Sequence, residues 1–218
     1  MCFMIAFTLA ALVVSIKYYG RHRVLRIFTY YIAASLLQDF SAIYILLYVH
    51  PRQLQTDLLE MSVNAFMLFD FIVCNFFILH YISSPLRRRI IRLNGLLFLG
   101  LLISFCIRLY PRLFGLSLGL SLVPYQCIFL ILPCLLFFYE LFLTVNLQPL
   151  KNQPAFWVVT GILFLHACDV PLMLTIPFLQ HYAQAAYSLN YILYSLLFTL
   201  LIRAYLCTPT SPPRAAQY

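Results

Sequence analysis

The sequence predicts an all-α integral membrane protein, a bundle of about seven transmembrane helices. Apolar residues make up 64% of the chain and charged residues only 9%, whereas a soluble domain is about 25% charged. Mean hydropathy is +0.93. Apolar runs of about 20 residues, the length that a helix needs to cross roughly 30 Å of hydrocarbon, recur between short polar connections. The 218 residues leave no room for a separate soluble domain.

The apolar runs place seven spans in order along the chain. They are predicted at 1–16, 27–49, 61–82, 95–110, 120–144, 155–179 and 186–206. The first is expected to be a retained helix, because basic residues follow its apolar part, whereas a signal peptide has them in front. Pro133 predicts a bend in the fifth span. Residues 1–206 thus form the predicted transmembrane domain, and 207–218, rich in Pro, Ser and Thr, a disordered cytoplasmic tail.

The basic residues predict the orientation. With seven spans, the first, third and fifth connections and the tail share one side and hold 11 Lys and Arg residues, against 3 on the other side. The positive-inside rule therefore predicts an external amino terminus and a cytoplasmic carboxyl terminus. The net charge of +8 comes from basic residues in these short connections. They are not interleaved with aromatic residues on an exposed face, which argues against a nucleic-acid partner. The basic loops 17–26 and 85–92 are candidate contacts for anionic lipid or a cytoplasmic protein.

Ionisable side chains lie deep inside three of the predicted spans. At 1.5 Å per helical residue, Asp39, Asp70 and His166 fall near the membrane midplane, and Asp169 lies about one turn further out. Charged groups in hydrocarbon cost several kcal/mol unless they face protein. We therefore expect a polar cavity in the outer half of the bundle that takes a small ligand or a proton. The alternative is that these groups only form hydrogen bonds between helices, as polar residues in membrane bundles often do.

Further polar residues accompany these four. The candidates for a secondary polar lining are Gln38, Asn64, Asn75 and Asn190. His80 and Glu140 form a separate candidate pair near the inner surface, where the pairing of Glu140 with a basic residue is expected. The seven cysteines contain no CxxC pair and most fall within apolar spans, so they are interpreted as small hydrophobic residues.

Several sharper functions find no support. A retinal protein needs a lysine in its last span, and the only lysines are Lys17 and Lys151, both in connections. Haem in a bundle needs two histidines at matched depth, which His166 and the more peripheral His80 do not supply. His166 with the three aspartates suits a metal ion chemically, but spacing by itself does not define such a site. No catalytic residue, metal or cofactor is therefore predicted, and an enzyme is less expected than a binding protein.

Two segments resemble a family of small, uncharacterised bacterial multi-pass membrane proteins. The first, LLFFYELFL followed by NQPAFWVVTG, has an entry formed by Asn152, Pro154, Phe156 and Trp157, with Gly161 in the next turn. The second is SLNYILY, with Asn190 and Tyr191, and Asp70 with Phe71 is similar to an acidic and aromatic pair in the family's third span. The resemblance implies a bundle of about seven helices in the bacterial cytoplasmic membrane and a sensory or signalling role. It transfers no ligand, cofactor or functional residue.

Three functional hypotheses follow. The leading one is a sensor or receptor-like signalling component that binds at the midplane and passes a helix shift to a cytoplasmic partner. The second is a small proton-coupled transporter that uses the same acidic residues. The third is a structural or assembly subunit of a membrane complex. The lack of an obvious internal repeat disfavours the transporter.

Overall fold

The computed structural model describes residues 2–20, 24–109, 118–143, 152–175 and 183–207. Within these ranges the chain is all-helical and contains no strand. The helices are α1 (Cys2–Lys17), α2 (Arg26–Tyr48), α3 (Arg52–Tyr81), α4 (Pro85–Leu109), α5 (Leu118–Leu143), α6 (Pro154–Thr175) and α7 (Ala183–Leu206). The tail beyond residue 207, predicted to be disordered, lies outside the described residues.

Five of these helices are long and apolar enough to cross a membrane. The candidate spans are Arg26–Tyr48, Leu54–Tyr81, Val123–Leu143, Pro154–Leu174 and Ser188–Leu206. The apolar part of α1, Met4–Lys17, is shorter than these. The protein therefore has the build of a multi-pass membrane protein. A full count of seven spans and the external amino terminus stay predictions.

Two helices, α3 and α4, begin about ten residues earlier than the sequence predicts. α3 begins at Arg52, well before position 61, so the amphipathic segment that was expected to be a connection is helical. α4 begins at Pro85, and the basic segment 85–92 forms its first turns. Proline is favoured at the first position of a helix, where its missing N–H is no loss, and Pro51 likewise directly precedes α3. The basic side chains therefore project from a helix, and the purely apolar part of α4 is short.

Six helices form a closed ring, and the seventh lies outside it. Going round the ring, α1 packs against α2, α2 against α3, α3 against α5, α5 against α6, α6 against α7, and α7 against α1. α4 packs on the outside against α5 and, less extensively, α3. α3 also reaches across to α6. The helices α3, α5 and α6 therefore meet in one three-helix junction.

Specific contacts hold the ring together. The Tyr205 hydroxyl of α7 lies 2.7 Å from the carbonyl oxygen of Leu25 and donates to it, which joins the start of α2 to the end of α7. Gly161 of α6 lets α7 approach so closely that a Cβ there would lie 2.9 Å from Cδ1 of Leu197. The Asn94 side chain donates to the carbonyl oxygen of Phe129 at 2.7 Å and fastens α4 to α5. These contacts join α2 to α7, α6 to α7 and α4 to α5.

The outward faces of the helices are apolar. Large side chains such as Leu37, Ile72, Phe76, Leu96 and Phe142 are more than half exposed. Exposed apolar surface of this extent is not stable in water, and a lipid bilayer accepts it. α5 continues through Pro124 and Pro133 and α6 through Pro171, as membrane helices tolerate. Lipid contact is therefore the setting for the buried polar groups below.

Candidate functional site

A buried polar contact lies at the junction of α3, α5 and α6. The side-chain amide of Gln126 donates to Oδ2 of Asp70 at 2.6 Å. Nε2 of His166 lies 3.7 Å from the same oxygen. All three residues are buried, with 3% relative exposure each. One carboxyl oxygen thus links three helices.

Two cysteines and a second aspartate extend this contact. The Cys74 thiol, one turn beyond Asp70 on α3, lies 3.4 Å from its Oδ1 and donates to it. Nδ1 of His166 lies 3.4 Å from Sγ of Cys127 on α5. Asp169 lies three residues after His166 and therefore on the same face of α6. We refer to Asp70, Cys74, Gln126, Cys127, His166 and Asp169 as the central cluster.

Asp169 is the least satisfied member of the central cluster. Its relative exposure is 3%. Its Oδ1 is buried and has no hydrogen-bond partner among the described residues. A buried polar atom without a partner costs about 1–3 kcal/mol, and more when it is charged. This oxygen is therefore available to a bound ligand or ion.

Two tyrosines, one on α2 and one on α7, lie near the central cluster. Tyr31 of α2 is buried and lies within electrostatic range of Asp70, although its hydroxyl makes no standard hydrogen bond to any described residue. Tyr194 of α7 lies within electrostatic range of both Asp70 and Asp169. Residues of five helices, α2, α3, α5, α6 and α7, therefore lie in or near the central cluster.

Asp39 does not join the other three predicted midplane residues. It is buried on α2, which packs mainly against α1 and α3, and its Oδ2 has no hydrogen-bond partner among the described residues. Within the described part of the chain, no hydrogen bond or ion pair connects Asp39 with Asp70, His166 or Asp169. The structure thus brings together three of the four predicted residues and leaves Asp39 at a separate position.

The predicted secondary lining is dispersed. Asn75 donates to the carbonyl oxygen of Phe71 on its own helix at 2.9 Å. The side-chain oxygens of Asn64, Asn75 and Asn190 are buried and lack hydrogen-bond partners within the described ranges. Gln38 on α2 is half-buried. None of these residues has a hydrogen bond to the central cluster among the described contacts.

The two residues of the predicted inner pair, His80 and Glu140, have different surroundings. Oε1 of Glu140 on α5 accepts hydrogen bonds from the backbone N–H of Ser83 at 2.6 Å, from the Ser83 hydroxyl, and from the backbone N–H of Ser84 at 3.3 Å. Its Oε2 lies 3.0 Å from Nη1 of Arg87. The expected basic partner of Glu140 is therefore Arg87. His80 is exposed and lies edge-on to Tyr81.

Glu140 caps the start of α4. The carboxylate occupies the amino-terminal end of that helix, where unpaired N–H groups and the helix dipole favour a negative charge. Arg87 also lies over the ring of Tyr139, 4.9 Å from its centre. We refer to Ser83, Ser84, Arg87 and Glu140 as the end cluster. It fastens the connection between α3 and α4 to α5.

The central cluster joins α3 to α5, and the end cluster joins the connection directly after α3 to α5 at a second level. Asp70 and Gln126 are 56 residues apart in the chain, and Ser83 and Glu140 are 57 apart. The near-constant offset shows that α3 and α5 run parallel and in register. At 1.5 Å per helical residue, the levels are roughly 20 Å apart. A movement of α5 along α3 that changes the contact between Asp70 and Gln126 would therefore also change the contact between Ser83 and Glu140.

The central cluster contains residues that the sequence analysis did not assign. Cys74 and Cys127 were interpreted as small hydrophobic residues, and Gln126 was not placed in the site. Two signals were present in the sequence: Cys74 is four residues after Asp70, on the same helix face, and Gln126 with Cys127 is a polar pair in a strongly apolar span. Which face of α5 meets α3 was not readable from a helix that is apolar all round.

The donor atoms of the central cluster suit a metal ion chemically. Asp70, Cys74 and His166 form one set, and Cys127, His166 and Asp169 form another, with the donor atoms of each set within 4.8 Å of one another. All five residues are buried. Imidazole, thiolate and carboxylate together are typical ligands of zinc and related transition metals.

No family model, curated protein or solved structure matches the chain. The fold and the site therefore define the class, a multi-pass helical membrane protein with an ionisable cluster at a three-helix junction. The resemblance to small bacterial membrane proteins stays a prediction.

Proposed function

We propose that the protein is a receptor-like membrane sensor in which a small ligand or ion bound at the central cluster changes the packing of α5 against α3. The register of these two helices is the observation that carries the proposal. Asp70 of α3 and Gln126 of α5 meet in the central cluster, and Ser83, two residues beyond the end of α3, meets Glu140 of α5 in the end cluster. A change at the first cluster thus has a direct mechanical route to the second.

The central cluster has the chemistry of a binding site for a small polar ligand or ion. It holds two carboxyl groups and one imidazole out of contact with solvent, and one oxygen of Asp169 lacks a partner among the described residues. A ligand shifts a conformational equilibrium only as far as it binds one state better than the other. A ligand that pairs with Asp169 and with His166 or Cys127 meets that condition, because it replaces the contact between α6 and α5 beside the hydrogen bond of Gln126 to Asp70.

The output is the basic start of α4. Arg88, Arg89 and Arg92 are exposed there, next to the end cluster that positions Arg87. The charge distribution predicts that this end faces the cytoplasm. A cluster of basic residues at that surface binds anionic lipid headgroups at about 1 kcal/mol per residue, and it also suits an acidic protein partner. Repacking of α5 would move this segment relative to either one.

Hydrogen–deuterium exchange at the end cluster tests the coupling. The amides of Ser83 and Ser84 are held by Glu140, so their exchange rates in lipid nanodiscs report on that contact. Asp70→Asn replaces an acceptor oxygen at the central cluster by a donor. It is expected to speed this exchange by about tenfold or more, which corresponds to a loss of about 1.4 kcal/mol in the free energy of local opening. The matched control is Asp39→Asn, another buried aspartate in a neighbouring helix, which is expected to leave the exchange unchanged.

The result also separates the sensor from the two other hypotheses. Equal exchange in wild type, Asp70→Asn and Asp39→Asn would refute the coupling and favour a structural subunit. Proteoliposomes loaded with a pH-sensitive dye supply the second arm. A sensor is expected to show no proton flux above that of protein-free vesicles, whereas flux that Asp70→Asn abolishes would assign the protein as a transporter.

A further inference from the structure

We propose that the ligand of the central cluster is a divalent transition-metal ion of the zinc type, bound by Cys127, His166 and Asp169. The inference deepens the proposed function by naming the ligand class. The three donor atoms come from two helices, α5 and α6, and lie within 4.8 Å of one another in a fully buried position. His166 and Asp169, spaced three residues apart, lie on one face of α6, and Cys127 faces them from α5.

The spacing of the two best-defined donors fits a tetrahedral zinc ion. Zinc binds imidazole nitrogen at about 2.0–2.1 Å and thiolate sulfur at about 2.3 Å, which places two tetrahedral ligands about 3.6 Å apart. Nδ1 of His166 and Sγ of Cys127 are 3.4 Å apart. The side chains of His166 and Cys127 therefore need to move by only tenths of an ångström to share an ion, and the Asp169 oxygen lies within 4.8 Å of both.

Asp169 supplies the observation that favours this set over the alternative set of Asp70, Cys74 and His166. Its buried Oδ1 has no hydrogen-bond partner among the described residues. Asp70, in contrast, already accepts hydrogen bonds from Gln126 and Cys74. An ion at Cys127, His166 and Asp169 would satisfy an oxygen that otherwise stays unpaired, at no loss to Asp70.

Asp70 completes the second layer around such an ion. A metal-bound histidine commonly turns its other ring nitrogen to a carboxylate, which orients the ring and strengthens it as a ligand. Nε2 of His166 faces Oδ2 of Asp70 at 3.7 Å, and Gln126 holds that oxygen in place. The arrangement matches a ring that binds through Nδ1 and is oriented through Nε2.

The ligands also balance the charge of the ion. When a divalent ion binds, the Cys127 thiol releases a proton to solvent and becomes a thiolate. This thiolate and the Asp169 carboxylate cancel the charge of the ion, and the remaining charge of the Asp70 carboxylate faces Nε2 of His166 and the amide of Gln126, which lowers the cost of burying the group. Three protein ligands leave a fourth position for water or a small exchangeable ligand, as in zinc sites that are not purely structural.

Metal loading of the purified protein in lipid nanodiscs tests the site. After incubation with Zn²⁺ or Co²⁺ and removal of excess ion, the wild type is expected to retain one ion per chain, and the Co²⁺ form is expected to show a thiolate charge-transfer band. Cys127→Ser should abolish that band, and Asp169→Asn, which preserves side-chain shape, should weaken binding by more than about 100-fold, since even loss of an outer partner costs about 10–100-fold. Asp70→Asn should weaken binding by about 10–100-fold and keep the band.

Cys134→Ser is the matched control. Cys134 is a buried cysteine on the same helix, two turns away and outside both donor sets. This variant should bind like the wild type. A folded wild type that retains no ion, or equal weakening by Cys127→Ser and Cys134→Ser, would overturn the proposal, and the contact between His166 and Cys127 would then be a hydrogen bond only.

Exchange at Ser83 and Ser84 separates failure of the metal site from failure of the sensor. If Zn²⁺ binds and leaves this exchange unchanged, the metal site stands and the sensor falls. If no metal binds and Asp70→Asn still speeds the exchange, the sensor stands and the ligand is of another class.

Discussion

Glu140→Gln gives the sharpest test of how the end cluster holds α4. Glutamine has the shape of glutamate and keeps one oxygen for the backbone N–H of Ser83, which lies 2.6 Å from Oε1. It removes the negative charge, and at Oε2 it places an amide donor 3.0 Å from the guanidinium of Arg87, itself a donor. The substitution therefore converts an attractive contact into a repulsive one without changing volume.

The expected loss follows from these contacts. Hydrogen bonds to a charged group contribute about 1.5–3 kcal/mol and neutral ones about 0.5–1.5 kcal/mol, so two bonds from Ser83 lose about 1 kcal/mol each. The partly exposed ion pair with Arg87 contributes up to about 1 kcal/mol. Glu140→Gln should therefore lower the free energy of unfolding by about 3 kcal/mol.

Reversible unfolding in mixed micelles of lipid and detergent measures this loss. Arg87→Gln should lower the free energy of unfolding by only about 1 kcal/mol. In a double-mutant cycle, the coupling energy between Arg87→Gln and Glu140→Gln should also be about 1 kcal/mol. Arg89 is exposed on the same turn, and Arg89→Gln serves as the control, with a change below about 0.5 kcal/mol. A loss below 1 kcal/mol for Glu140→Gln, or equal effects of Arg87→Gln and Arg89→Gln, would refute the reasoning.

Two further substitutions test the ring of helices in the same unfolding assay. Tyr205→Phe removes the hydroxyl that donates to the carbonyl oxygen of Leu25 and lies 3.0 Å from the Thr29 hydroxyl, and it should cost about 1–2 kcal/mol. An unchanged stability would contradict a role of these contacts in joining α2 to α7. Gly161→Val places a Cβ 2.9 Å from Cδ1 of Leu197 and should cost about 1–3 kcal/mol by overpacking. Gly100→Val is its control, because a Cβ at Gly100 meets nothing within 4 Å; equal losses for the two glycines would contradict the close approach of α6 and α7.

The sequence predicted the helical membrane class because that property depends on composition and on run length. A chain with 64% apolar residues in runs of about 20 has few alternatives to membrane helices. Helix starts were less predictable at α3 and α4, because the hydrophobic run marks the apolar part of a helix and not its polar extension. α3 begins at Arg52 and α4 at Pro85, and in both helices the polar first turns precede the apolar run.

The level of each polar residue along its helix was also predictable from the sequence, since the rise per residue is constant in a helix. This placed Asp70 and His166 at one level, and in the structure Oδ2 of Asp70 lies 3.7 Å from Nε2 of His166. Depth does not tell which side of a helix faces which neighbour. Asp39 lies at the same predicted depth and still does not contact them, because α2 packs mainly against α1 and α3.

The chain by itself determined the class of protein, the approximate helices and the level of Asp70 and His166 along them, because each of these depends on local composition and helix geometry. Only the tertiary structure decided that α3, α5 and α6 meet, and therefore that Cys127 faces His166 and that Glu140 reaches Ser83. The physical reason is that these helices are apolar nearly all round. Their polar contacts are then chosen by which helices are neighbours, and no pattern within a single helix records that choice.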